Sequence, residues 1–279
     1  MQITEHVYST HIEEDPNTFG AMHPGGTQIY FVGDPTKEMV VIDSGENYRH
    51  WTNQIIEYHT ELGSPTINAI CITHGHGDHI GGLDRLQEYF NCTVRCHPKL
   101  APFLAHKLNS NPVTNTVQKL KSNEIIQVND KTTLKAVFTP GHEEDHIVYH
   151  LKQDKVLFSG DTILGNSTGS VRNLNQYISS LRKMLNLKPD IICPGHGNTV
   201  SNATNRIQFY LHHRLEREKQ IITAIKEGCA TVEQIVDSVY PRNLRKNLRA
   251  AAARNVETHL NKLIEEKLIL KNESTYSPI

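Results

Sequence analysis

The run THGHGDHIGG, residues 73–82, places His74, His76, Asp78 and His79 within six positions, separated only by glycine. A lone histidine is ordinarily a polar surface residue. Four donors crowded this closely gain nothing from packing unless a cation shares them, and imidazole nitrogens with carboxylate oxygens suit a borderline divalent metal. Glycine at 75 and 77 lets the backbone bend sharply, so that successive side chains converge. Four donors do not complete two sites, and three other motifs supply more: TPGHEEDH offers His142, FSGDT offers Asp161 and CPGHG offers His196. Seven donors allow a dinuclear site, with His74, His76 and His142 on one ion, Asp78, His79 and His196 on the other, and Asp161 bridging. Two zinc ions roughly 3.5–4 Å apart would share a water, lower its pKa toward neutrality and neutralise charge on an attacked group.

The elements that must position these donors are legible as short apolar runs closed by Gly, Asp or His. TQIYFVGD, EMVVIDSGE, INAICITHGHGDH, LKAVFTPGH, KVLFSGDT and DIICPGH read as strands. Helices are expected over 47–62, over 80–89 and through NLNQYISSLRKML, where Leu174, Ile178, Leu181 and Leu185 keep one face. Strands alternating with helices imply a layered α/β architecture over residues 1–200. From 201 to 279 the strands stop. NRIQFYLHHRLEREKQIITAIKEG reads as a long helix ending near Gly228. Thr231 with Gln234 forms a capping-box signature for a second helix closed by Pro241, and Leu244–Leu268 forms a third before a short hairpin. This second unit is expected to be winged-helix-like.

Composition narrows the class. At 279 residues with 37% hydrophobic and 21% charged, the chain can bury a full core and is not a disordered polymer. The net charge of -1 hides an asymmetry: residues 201–279 carry 13 Lys and Arg against 9 Asp and Glu, the remainder 16 against 21. Arg242, Arg245, Lys246, Arg249 and Arg254 form a basic stretch that could track phosphates, or could simply be a solvated face. No apolar run approaches the roughly 18 residues of a membrane span, so no membrane is expected. Five scattered cysteines argue against a disulfide framework and for a reducing compartment. Cys92, Cys96 and His97 lack a fourth ligand at finger-like spacing, so buried thiols are expected there.

The pattern Thr-His-x-His-x-Asp-His, followed by His142, Asp161 and His196, resembles the metallo-β-lactamase superfamily over residues 1–200. The resemblance implies a four-layer αββα sandwich with metals at the strand ends, and two zinc ions as cofactor. It also implies that Asp43 of VVIDSGE supports the site from behind, and that Asp78 and Asp161 serve catalysis, Asp78 by accepting a hydrogen bond from the nucleophile or relaying a proton. GTQIYFVGD, LFSGDTILG, PDIICPGHG, HHRLEREKQI and the final helices resemble the β-lactamase-like protein 2 group within it. That resemblance implies an endoribonuclease acting on single-stranded RNA in the mitochondrial matrix, with no obligate protein partner. The N-terminus MQITEHVYSTHIEEDP has neither an apolar core nor arginines, which leaves the cytoplasm as the alternative. Gly75 and Gly77 depart from the bulkier residues of the group, which bears on loop rigidity and the pocket wall. The β-CASP insertion of RNA-processing nucleases has no room between Asp161 and His196. A glyoxalase-II-like thioester hydrolase is the rival reading; a persulfide dioxygenase holding one iron and a noncatalytic interaction protein are the others. His146, Tyr177, His213 and Arg214 are candidates to line the substrate path, with packing or surface roles as the plainer reading.

Overall fold

A computed structural model of the chain describes residues 1–13, 26–109, 116–166, 168–241 and 243–279. Its organisation follows from strands that are apolar on both faces. β1 (Gln2–Thr4), β2 (Val7–Ile12), β3 (Thr27–Gly33), β4 (Glu38–Ile42), β5 (Thr66–Cys71), β6 (Thr93–Cys96) and β7 (Val117–Lys119) form one sheet in sequence order, antiparallel up to β4 and parallel from there. Along β3 and β4, Ile29, Phe31, Met39 and Val41 point one way, while Tyr30, Val32, Val40 and Ile42 point the other. The two-residue period of a strand therefore feeds two cores at once.

The outer core of this sheet is covered by α1 (Arg49–Glu61), the single turn α2 (Gly77–Ile80), α3 (Leu83–Phe90) and α4 (Ala101–Lys107), through Trp51, Ile55, Ile80, Leu83, Leu86 and Leu104. The inner core meets a second sheet of β8 (Ile125–Gln127), β9 (Thr133–Phe138), β10 (Ile147–Leu151), β11 (Val156–Gly160) and β12 (Ile191–Pro194), ordered β12-β11-β10-β9-β8. On its far side, Val137, Val148, Leu157 and Ile192 pack against α5 (Leu174–Asn186) and the start of α6 (Ala203–Lys226). The layers run helix, sheet, sheet, helix, as the family resemblance implies.

Strand polarity decides where the donors go. β4 and β5 are parallel, as are β11 and β12, while β9 and β11 each run antiparallel to β10 and hence parallel to one another. All five thus end at one edge, and they are followed there by Asp43, the 73–79 loop, His142, Asp161 and His196. Hydrogen bonds sew the two sheets together beside that edge: Ile147 donates its backbone N–H to the Thr73 carbonyl at 2.7 Å, Tyr149 its hydroxyl to the Ile72 carbonyl at 2.7 Å and Tyr30 its hydroxyl to the Pro194 carbonyl at 2.7 Å.

The C-terminal unit comprises the end of α6, α7 (Val232–Val239), α8 (Lys246–Glu265) and the hairpin β13 (Ile269–Asn272) and β14 (Thr275–Pro278). Its core gathers Ile221, Ile225, Ile235, Val256, Leu260 and Leu263. The capping box at Thr231 and Gln234 is formed with both hydrogen bonds, and α6 stops at Lys226, two residues before Gly228 at φ 100°. The boundary expected at residue 200 falls just before a helix that serves both units. Ala203, Ile207 and Tyr210 belong to the core of the second sheet, and Ile221 and Ile225 to that of the C-terminal unit.

Candidate metal centre

Seven donors meet at the strand-end edge in two groups: His74, His76, His142 and Asp161 in one, Asp78, His79 and His196 in the other, the donor atoms of each lying within 4.8 Å of one another. Asp161 stands between them. Its Oδ1 is 3.4 Å from His79 Nε2 and 3.5 Å from His196 Nε2, while its Oδ2 is 3.8 Å from His142 Nε2. One carboxylate oxygen thus faces each group.

Each imidazole has one nitrogen turned inward and one tied outward, and the outward partner dictates the tautomer. His142 Nδ1 faces the Ser170 carbonyl at 2.8 Å and His196 Nδ1 the Gly26 carbonyl at 3.2 Å; both must donate. His79 Nδ1 donates to Asp43 Oδ2 at 2.7 Å, and His76 Nε2 to Glu143 Oε1 at 2.6 Å. The Thr73 hydroxyl donates to Asp43 Oδ2, which leaves it to accept from His74 Nδ1 at 3.0 Å. In the group of His74, His76 and His142 the inward nitrogens accordingly present lone pairs to one another, as close as 3.0 Å between His74 Nε2 and His76 Nδ1 and 3.3 Å between His142 Nε2 and His76 Nδ1. Lone pairs set against lone pairs repel unless a cation lies among them, so this donor set fits a divalent metal.

Electrostatics agree. Burial holds His74 well below the ordinary histidine range, with the neighbouring His79 acting in the same direction, and burial also lowers His142. Burial alone would lower His79, yet the carboxylates of Asp78, Asp43 and Asp161 outweigh it and hold this imidazole well above its usual value. The second group is a place that draws positive charge. His79 Nε2 and Asp161 Oδ1 are buried and face each other at 3.4 Å, and among the described residues neither atom makes a well-formed hydrogen bond, which suits two atoms that ligate one ion. The floor leaves no slack: a Cβ at Gly195 would lie 2.7 Å from Asp161 Oδ1 and 2.8 Å from His79 Cε1, so only glycine lets the backbone pass.

Comparison with known proteins gives the same result. Residues 23–196 match the metallo-beta-lactamase superfamily, and residues 231–276 match the beta-lactamase associated winged helix domain. The chain belongs to the metallo-beta-lactamase superfamily. It is 31% identical over 246 residues to a beta-lactamase-like protein 2 homolog of Caenorhabditis elegans, covering 88% of this chain and 80% of that protein. It is also 30% identical over 236 residues to an atrochrysone carboxyl ACP thioesterase of Aspergillus fumigatus, covering 80% and 71%. In fold it is similar to a beta-lactamase domain protein from Burkholderia ambifaria, with a TM-score of 0.80 at 18% identity over 100% of this chain and 93% of that one. The winged-helix-like expectation for the C-terminal unit is met.

Within this superfamily frame, the sequence candidates fall into place unevenly. Asp43 lies behind the site, accepting from the Thr73 backbone N–H and hydroxyl, both at 2.8 Å, as well as from His79. It does so from a left-handed backbone at φ 64°, which aspartate tolerates better than most residues. A Cβ at Gly75 would come within 2.9 Å of Leu100 Cδ1 and 3.0 Å of Asp145 Oδ2, side-chain ends that would have to shift, whereas at Gly77 it would meet only the Glu46 carboxylate at 3.7 Å. Of the two readings open for the substrate-path candidates, packing holds for His146, Tyr177 and Arg214. His146 and Tyr177 are fully buried. His146 Nε2 accepts the Asp161 backbone N–H at 3.2 Å, so it orients that ligand from beneath, and the Tyr177 hydroxyl donates to the Thr162 carbonyl at 2.5 Å. Arg214 is also buried, donating to the Gly169 carbonyl at 3.1 Å and Asn255 Oδ1 at 3.2 Å across the junction of the two units. His213 stacks on Phe209.

Cys92 and Cys96 are buried with thiols pushed up to about 12 by burial. His97 Nδ1 accepts from the Lys99 backbone N–H at 3.1 Å. Arg242 of the basic stretch lies outside the described residues; Arg245, Lys246 and Arg254 are exposed, and Arg249 is paired with Asp237 at 2.7 Å. Sequence reasoning missed Glu143, Ser170 and Gly26, which hold ligands from outside. Two of them act through a backbone carbonyl, which no residue type announces.

Proposed function

We propose that this metallo-beta-lactamase superfamily hydrolase is a dizinc endoribonuclease acting on single-stranded RNA. The observation that carries the reading is an open cleft of about 760 Å³ between the loop carrying Ser170 and helix α8. Ser170, whose carbonyl faces His142, stands in its wall with Arg172 and Arg254, and exposed Arg245 and Lys246 lie at the head of the same helix, while Arg214 beneath is buried and paired. A polyanion laid along it would meet the Arg172 and Arg254 side chains, and the Ser170 end of the cleft backs onto His142. The similarity to beta-lactamase-like protein 2 homologues supports the same assignment.

Bound zinc supplies Lewis acidity, acidifying a water and offsetting charge on the attacked phosphoryl group. The chain's own residues do the rest. Asp161 offers one oxygen to each donor group, so it sets their spacing. Asp78, with Oδ2 2.9 Å from His196 Nε2, is the carboxylate placed to accept a hydrogen bond from the nucleophile and orient it. Arg172 and Arg254 bind the strand, and the absence of an aromatic base-stacking signature leaves the sequence preference slight.

A second reading, thioester hydrolysis, is favoured by a different part of the same cleft. Between the arginines its wall is apolar, formed by Val171, Leu244, Leu248 and Ala251, which suits an acyl chain; a relative named as an ACP thioesterase is as similar as 30%. Zinc-loaded protein incubated with single-stranded RNA, matched duplex RNA and S-lactoylglutathione or an acyl-ACP separates them. Cleavage of the single strand, lost in Asp161→Ala, is the expected result. Thioester turnover with intact RNA would replace the nuclease reading with the thioesterase one.

A further inference from the structure

His76 differs from the other four imidazoles of the centre. Glycine precedes and follows it, and its side chain is 35% exposed, whereas those of His79, His142 and His196 are at most 3% exposed. The other four rest their outer nitrogens on buried backbone carbonyls, the Thr73 hydroxyl or Asp43. His76 rests its own on the side chain of Glu143, across a loop. A Gly-His-Gly segment has a permissive backbone, and a half-exposed ring has little packing to stop it turning.

Glu143 is itself held. Its Oε1 accepts from His76 Nε2 at 2.6 Å and from Arg172 Nε at 2.8 Å, and the Arg172 backbone N–H donates to the Gly141 carbonyl at 2.8 Å. Arg172 follows Val171 and Ser170, so one short loop braces His142 through the Ser170 carbonyl and His76 through Arg172 and Glu143. The neighbouring Glu144 is exposed and pairs with Lys99 instead. A carboxylate on the far nitrogen of a ligating imidazole fixes its tautomer and direction and raises its basicity.

We propose that Glu143, held in place by Arg172, is the positioning residue of His76 and sets the affinity of the His74, His76 and His142 group for its divalent ion. The inference rests on these histidines being metal ligands. It is tested on the full chain, stripped by chelation and titrated with Zn²⁺ against a chromogenic chelator, with circular dichroism and thermal melting as checks of folding. In Glu143→Ala, one of the two zinc affinities falls roughly 10–100-fold and the other holds. Glu143→Gln, whose amide oxygen still accepts the imidazole N–H, recovers part of the loss. Arg172→Ala shows a smaller fall at the same step. Glu144→Ala removes the same charge one residue along and leaves both affinities unchanged. The Co²⁺-substituted protein reports the change separately, as an altered visible spectrum in Glu143→Ala. Wild-type affinity in both Glu143→Ala and Arg172→Ala would overturn the proposal, as would equal weakening in Glu143→Ala and Glu144→Ala. Failure of the unaltered chain to bind zinc at all would instead remove the metal reading beneath it.

Discussion

The two donor groups share Asp161 and one edge of the sandwich, but they are built from different material. The group of Asp78, His79 and His196 is wholly buried, and its outer contacts run to Thr27 on the first sheet and to Gly26 and Asp43 at the ends of its strands. The group of His74, His76 and His142 presents three imidazoles and a single carboxylate oxygen, and two of those imidazoles depend on Glu143 and on the 168–172 loop. That loop leans in turn on the winged-helix unit, through Arg214 to Gly169 and through the Thr258 hydroxyl to the Val171 carbonyl at 3.2 Å. Positional precision in the second group comes from the sheet itself. In the first it is borrowed from a loop and from the neighbouring unit.

The comparison breaks most completely at the residue both groups share. Asp161→Ala should remove ion binding from both, with losses above the roughly 100-fold that removal of an outer partner costs, read by metal analysis and by activity. If only one ion were lost, Asp161 would not be the bridge. Asp43→Asn sharpens the contrast, because it weakens the acceptor of His79 Nδ1 and of both Thr73 donors. Metal affinity should fall roughly 10–100-fold, with the larger share at the His79 group, and calorimetric zinc titration would show whether the steps separate that way.

Acid tests the support that the first group borrows. His259 is fully buried between the Asn255 and Arg214 carbonyls, and burial lowers it to about 4, with the Arg214 guanidinium pushing the same way. Its folded value lies below the ordinary unfolded value near 6.5, so the unfolded chain takes up the proton first. The stability this neutral ring contributes is complete above pH 6.5 and is lost as the pH falls toward 4, at most about 3 kcal/mol. Denaturant melts of the wild type and His259→Gln over that window should differ in slope; parallel curves would remove His259 from the junction. The smallest effect serves as a control. Thr231→Ala removes one half of a capping box remote from both groups and should lower stability by about 1 kcal/mol without altering either zinc affinity.

How much of this was legible varies by residue for physical reasons. The seven donors were readable because metal ligands are restricted to a few side-chain types and because each follows an apolar strand. The long strands and helices were readable from period, and Thr231 with Gln234 from local hydrogen-bond chemistry. Several short strands passed unread: VYSTHI at Val7–Ile12 because polar Ser9, Thr10 and His11 interrupt its apolar run, and IVYHL at Ile147–Leu151 because a short run buried on both faces carries no alternation. For His146 and Tyr177 the plainer packing reading holds, but which groups they hold was not legible, because side-chain polarity does not name a buried partner.

The amino-acid order alone determined which donors exist, how many there are, and that each stands at the end of an apolar strand, because side-chain chemistry and strand period are local properties. The tertiary structure decided that parallel strand ends from two sheets bring those donors to one edge, and that His76 leans on a glutamate rather than on the sheet. It also decided that the C-terminal unit braces the loop behind His142. Those are contacts between residues far apart in the chain, often through backbone carbonyls that every residue possesses, so only the packed fold can select among them.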